Sequence, residues 1–101
     1  MDSEEQEKLK HAISDFSDDM LRTLRRNSHK HGWDEMHIRD IWPRIRDELD
    51  ELRLLVHDME HPPSEEDRRK IAKEATDIAN FALFAWYYAN DVCQPREKVK
   101  L

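Results

Sequence analysis

Apolar residues recur three and four positions apart along most of this chain, the spacing that lines one face of a helix. The first run is Leu9, Ile13, Phe16, Met20 and Leu24, which predicts a helix from about Ser3 to Ser28. It closes on Arg22, Arg25, Arg26 and Lys30, and positive charge favours a helix C-terminus. A second run, Ile41, Ile45, Leu49, Leu52, Leu55, Val56 and Met59, predicts a helix over about His37 to Glu60. Pro43 lies inside it and removes the amide that would bond the Arg39 carbonyl, so a kink or a break is expected there. His61-Pro62-Pro63 stops that helix, Ser64 reads as an N-cap, and Glu65, Glu66 and Asp67 fill the first turn of a third. The third helix is expected to reach about Asn90, ahead of a frayed, charged tail opening at Gln94-Pro95.

Acids interrupt two of these stripes. On a wheel of about 100° per residue, Glu48 falls inside the apolar sector of the second helix and Glu51 lies on its edge, about 60° away. The third helix carries Ile71, Ala75, Ile78, Phe81, Ala82, Ala85 and Ala89 over nearly the same sector. Glu74 is again inside that sector and Asp77 again about 60° off it. Antiparallel helices joined by a short loop bring such stripes face to face, so the four carboxylates are expected to meet. Buried like charges repel and cost several kcal/mol unless something offsets them. One explanation is that Glu48 and Glu74 bend to solvent or pair with Arg44, Arg46, Lys70 or Lys73. The other is a cluster of hard divalent cations, Mg²⁺ or Mn²⁺, which all-carboxylate sites suit and which serve phosphate transfer through an activated water. Di-iron bundles use Glu-x-x-His, whereas the third residues on here are Glu51 and Asp77, which disfavours redox iron.

Composition removes other classes. The chain has 101 residues, room for one domain, with one glycine and four prolines, too few turn residues for a sheet protein. Gly32 alone cannot build a phosphate-cradling glycine loop. A net charge of −6 opposes binding to nucleic acid polymers. No apolar run approaches the roughly 20 residues that cross a bilayer, the N-terminus Met-Asp-Ser-Glu-Glu lacks a signal-peptide pattern, and the single cysteine, Cys93, fits a reducing compartment. A cytoplasmic location is therefore expected. Six histidines raise the question of zinc, but no cysteine or third histidine stands at ligand spacing from His29 and His31.

The pattern Glu48-x-x-Glu51 followed by Glu74-x-x-Asp77 resembles the signature of the MazG-like all-α nucleoside triphosphate pyrophosphohydrolases. The stretch from Lys73 to Ala82, Lys-Glu-Ala-Thr-Asp-Ile-Ala-Asn-Phe-Ala, and the segment His29-Lys30-His31-Gly32-Trp33 are similar to the small phage-type members. The likeness covers about residues 20 to 91. Pro43 breaks the acidic helix earlier than that pattern has it, and the first acidic pair stands in Arg-Asp-Glu-Leu-Asp-Glu-Leu rather than in a run of glutamates. The resemblance implies a Mg²⁺-dependent hydrolase, with Mn²⁺ as a substitute, cleaving a nucleoside triphosphate, deoxynucleotides above all, between the α and β phosphates. It implies Glu48, Glu51, Glu74 and Asp77 as metal ligands, within one domain over residues 1–101. Glu48, in apolar surroundings that raise a carboxyl pKa, is the expected proton acceptor.

Around these acids the sequence offers helpers. Trp33 is a platform for a nucleobase or, equally, a loop tryptophan sealing the bundle end. Lys30, Arg26, Arg69, Lys70 and Lys73 are candidates for triphosphate oxygens, of which no more than two are expected to touch substrate. Lys73 points about 100° from Glu74 on the wheel, which weakens its case. Asn80 is a lone polar residue in an apolar stretch and needs a partner. Phe81, Phe84, Trp86, Tyr87 and Tyr88 surround the third helix, and a helix apolar all round is buried all round. The expected fold is thus an all-α antiparallel helical bundle, about three main helices per chain, completed by homo-oligomerisation as a homodimer or dimer of dimers. The competing function is a helical interaction module, or a degenerate relative that binds metal or nucleotide without turnover.

Overall fold

Each predicted helix forms in the computed structural model, which describes residues 1–27 and 32–92. Helix α1 runs Ser3–Arg26, α2 Ile38–Asp58 and α3 Glu65–Tyr87. A 3₁₀ turn at Trp33–Glu35 precedes α2, and a π-helical turn at Tyr88–Val92 follows α3. Among the described residues there is no strand. The expected tail from Gln94, Cys93, Lys30 and the histidines at 29 and 31 lie outside the described residues.

Local chemistry sets the ends of these helices. The Asp2 carboxylate accepts from the Glu5 amide at 2.8 Å, one of the donors a helix start leaves open. His37 Nδ1 accepts from the Arg39 amide at 3.1 Å and caps α2. At α3 a full capping box forms: Ser64 Oγ accepts from the Asp67 amide at 3.1 Å while Asp67 Oδ2 accepts from the Ser64 amide at 3.4 Å. The same Asp67 oxygen accepts from the Glu60 amide at 3.2 Å, pinning the connection between α2 and α3. That Glu60 amide, followed by the Ser64 donors, holds the Asp67 carboxyl below its ordinary range.

Pro43 does not break α2, which continues through it to Asp58. Only one backbone bond is lost, that to the Arg39 carbonyl, and Ile41 and Ile45 flank the proline on the packed face. Ile41 is fully buried. The α-helical part of α3 stops at Tyr87, before the expected Asn90, where the chain widens into the π turn.

The α2–α3 pair forms the largest interface, and α1 packs on α3. Two lines on α3 serve these two neighbours. One faces α2; the other, Thr76, Asn80 and Phe84, is mixed in polarity and buried at successive turns, Asn80 bonding α1 and Phe84 meeting the 3₁₀ turn. Trp33 stacks on Phe84 with centroids 5.4 Å apart and 27° between planes, and meets the edge of Tyr87 at 5.1 Å. Tyr88 Oη lies 3.0 Å from His37 Nε2, tying the end of α3 to the start of α2. Among the described residues only Ile41 and Phe84 are buried apolar side chains, while α1 buries none.

Candidate metal centre

The i, i+3 spacing on both helices sets the acids side by side, as their placement within the packed stripes requires. Glu48, Glu74 and Asp77 each offer a carboxylate oxygen, and the three oxygens lie within 4.8 Å of one another. Glu51 is not among them: it is exposed and stands beside Glu74, whose carboxyl it and Glu48 both influence, so three of the four predicted ligands form one cluster and the fourth lies at its edge. Glu74 is 7 % exposed. Oε2 of Glu48 and Oε2 of Glu74 are buried without a hydrogen-bond partner. Burial foremost, then the Glu48 and Glu51 carboxylates, push the Glu74 carboxyl up to about 8.

The bland alternative for these acids is not realised among the described residues. Glu48 and Glu74 form no ion pair there, and the cation nearest the cluster is Lys73, whose Nζ donates to Asp77 Oδ2 at 3.1 Å. That bond, and the Asp77 charge with it, hold Lys73 above the ordinary range. Lys70 turns instead to Glu66 at 3.4 Å, as does Arg69 at 3.8 Å. Buried, unpartnered carboxylate oxygens in a set made only of hard oxygen donors fit a divalent cation such as Mg²⁺ or Mn²⁺.

Two grooves adjoin the cluster. One, of about 520 Å³, is lined by the acids Glu51, Asp58, Asp67 and Glu74 and the cations Lys70 and Lys73, over a leucine floor. The other, of about 800 Å³, opens between α1, the 3₁₀ turn and α3, and its lining includes Asp77, Asn80, Trp33 and Phe84. Asn80 is 5 % exposed; its Nδ2 donates to the Met20 carbonyl at 3.3 Å and its Oδ1 is buried and unpartnered. Trp33 keeps 41 % of its surface exposed although one face is taken by Phe84.

Arg26 is not brought to the acids. It lines neither groove, and its guanidinium lies 3.5 Å from Thr23 Oγ1 on α1 itself. One residue back, a rotation of about 100°, Arg25 lines the larger groove, as does Arg44. The sequence carried a signal for Arg44: it stands one turn before Glu48 on the acid side of α2. Nothing in the sequence separated Arg25 from Arg26, because the face α1 turns to α3 is set by tertiary packing. Lys73, weakened by its wheel angle, lines the smaller groove and carries its ammonium one turn forward to Asp77. No protein-family model, curated protein or solved structure matches the chain.

Proposed function

We propose that this protein is a metal-dependent nucleoside triphosphate pyrophosphohydrolase that releases a nucleoside monophosphate and pyrophosphate, with deoxynucleotides as the preferred class. The observation that carries the reading is the cluster of Glu48, Glu74 and Asp77, with Glu51 beside Glu74, at the junction of two grooves, where Oε2 of Glu48 and Oε2 of Glu74 are buried and unpartnered. The resemblance of these four positions to the MazG-like pattern supplies the reaction.

Glu48, Glu51, Glu74 and Asp77 hold Mg²⁺ or Mn²⁺ in this reading. The metal, when bound, neutralises phosphate charge and lowers the pKa of a water. The residues on either side then divide the substrate. Lys70 and Lys73 are the cations of the smaller groove and would contact the β and γ phosphates, once bound metal offsets the acids that also line it. Trp33 and Phe84 give the larger groove an aromatic wall for a base, with Asn80 between that wall and Asp77. A carboxylate must accept the proton of the attacking water. Glu48 is the residue proposed, and Glu74, whose burial raises its proton affinity most, is its neighbour in the same cluster. The apolar side chains left uncovered on α2 and α3 support a homodimer or a dimer of dimers. The test is a panel of NTPs and dNTPs with Mg²⁺, read by released pyrophosphate. No release from any member, with Mg²⁺ bound to the protein, leaves the degenerate binding module as the surviving reading.

A further inference from the structure

Among the described residues one cation touches the acid cluster of Glu48, Glu74 and Asp77. Lys73 Nζ sits 3.1 Å from Asp77 Oδ2. Its stem is 72 % exposed, so the side chain is free to swing, and the residue also lines the groove shared by Glu51, Glu74 and Lys70. Lys70 is occupied differently: its partner is Glu66, one turn back on α3 and outside the cluster. The buried and unpartnered Oε2 of Glu74, a residue 7 % exposed, lies in the same cluster. A compact ammonium on a flexible stem is well suited to stand in for a metal ion and then leave.

We propose that Lys73 is a resident counter-ion of the metal centre: its ammonium occupies Asp77 until a divalent cation takes that carboxylate, and it then turns into the adjoining groove to bind the pyrophosphate half of the substrate. This rests on the reading of the cluster as a metal centre. No bond is made or broken; the two cations exchange places on one carboxylate. Removing Lys73 therefore has two opposite effects. Divalent cations bind more tightly, because a positive charge a few ångströms away no longer repels them. Pyrophosphate binds less tightly, because one of its cations is gone. A residue that served only structure would weaken both, and a plain phosphate ligand would weaken the second alone.

The test compares the wild type with Lys73→Met, Lys73→Arg and Lys70→Met. Mn²⁺ titrated alone is expected to bind Lys73→Met about tenfold more tightly than wild type, with Lys73→Arg and Lys70→Met near wild type. Magnesium pyrophosphate titrated into Mg²⁺-saturated protein is expected to bind at least fivefold more weakly to both Met variants. The wild-type Lys73 Cε resonance, in ¹³C-labelled protein, is expected to move when Mg²⁺ is added. Mn²⁺ binding that is unchanged or weaker in Lys73→Met overturns the counter-ion role while leaving the metal centre standing. Pyrophosphate binding that is unchanged in Lys73→Met overturns the transfer to the groove. A wild type that binds no Mn²⁺ overturns the metal centre itself and this inference with it.

Discussion

Glu74 keeps its proton to about pH 8, against an ordinary value near 4.5 in an unfolded chain. Between those two values the folded state binds more protons than the unfolded one, so stability falls as pH rises and levels off above about 8. The sign is opposite to that of a glutamate stabilised by an ion pair. In EDTA the melting temperature is expected to be lower at pH 8.5 than at pH 5.5, and Glu74→Gln should flatten that slope. Mg²⁺ or Mn²⁺ should restore stability at the higher pH, because a bound cation reverses the local preference for the proton. A slope unchanged in Glu74→Gln would assign the pH dependence to other groups. Glu48→Gln and Asp77→Asn are expected to abolish turnover while far-ultraviolet circular dichroism stays helical, since in the proposed function their charges serve metal binding and not packing. A Glu48→Gln protein with wild-type turnover in Mg²⁺ would remove that residue from the metal centre.

The helices and the Ser64 cap of α3 were legible because local chemistry decides them, whereas the Asp2 and His37 caps were not read. Ser64 and Asp67 announce the start of α3 by type and spacing, and the structure closes both halves of the box. Ser64→Ala is expected to cost about 1 kcal/mol, measurable by urea denaturation. The acids were legible too, since two helices repeat one misplacement and antiparallel pairing can only bring the two sets together. Other features needed partners from far along the chain. The line Thr76, Asn80 and Phe84 reads on a wheel as a mixed polar face, and its burial depends on α1 and Trp33 arriving from elsewhere. Of the kink or break expected at Pro43, the break does not occur, because the rule for proline counts the lost bond and not the packing of Ile41 and Ile45 on either side of it. Trp33 shows how one element serves two ends: it covers Phe84 and still offers surface to the larger groove. Trp33→Ala is expected to lower the melting temperature and to raise KM by the equivalent of about 1–3 kcal/mol, with kcat little changed because stacking remote from the α phosphorus acts equally in ground and transition states. A normal KM with a lowered melting temperature would make the tryptophan a lid only.

Over the whole molecule, the buried apolar core is too small for the amount of amphipathic helix. On α2, Ile38, Trp42, Leu49 and Val56 remain between 37 and 55 % exposed. They fall about 60–100° from Ile41 on the wheel, one flank of a stripe wider than α3 alone covers. On α3, Trp86 is 62 % exposed. Because the two helices are antiparallel, the start of α2 lies beside the end of α3, which brings Trp42 and Trp86 to one end of the pair. Large aromatic side chains bury 150–250 Å² each, so pairing this flank with a second copy removes far more apolar surface from water than any adjustment within one chain. The protein is therefore expected to sediment as a dimer or larger at micromolar concentration. Two substitutions separate the flank from the core. Trp86→Glu should yield a helical monomer, since a charge at an exposed site is tolerated until a partner must cover it. Phe84→Glu should instead unfold the chain, because Phe84 is buried against Trp33 and Phe81 within one protomer. Sedimentation read beside circular dichroism distinguishes the two outcomes. A wild type that stays monomeric at a hundred micromolar would mean that this flank is not closed by a second copy.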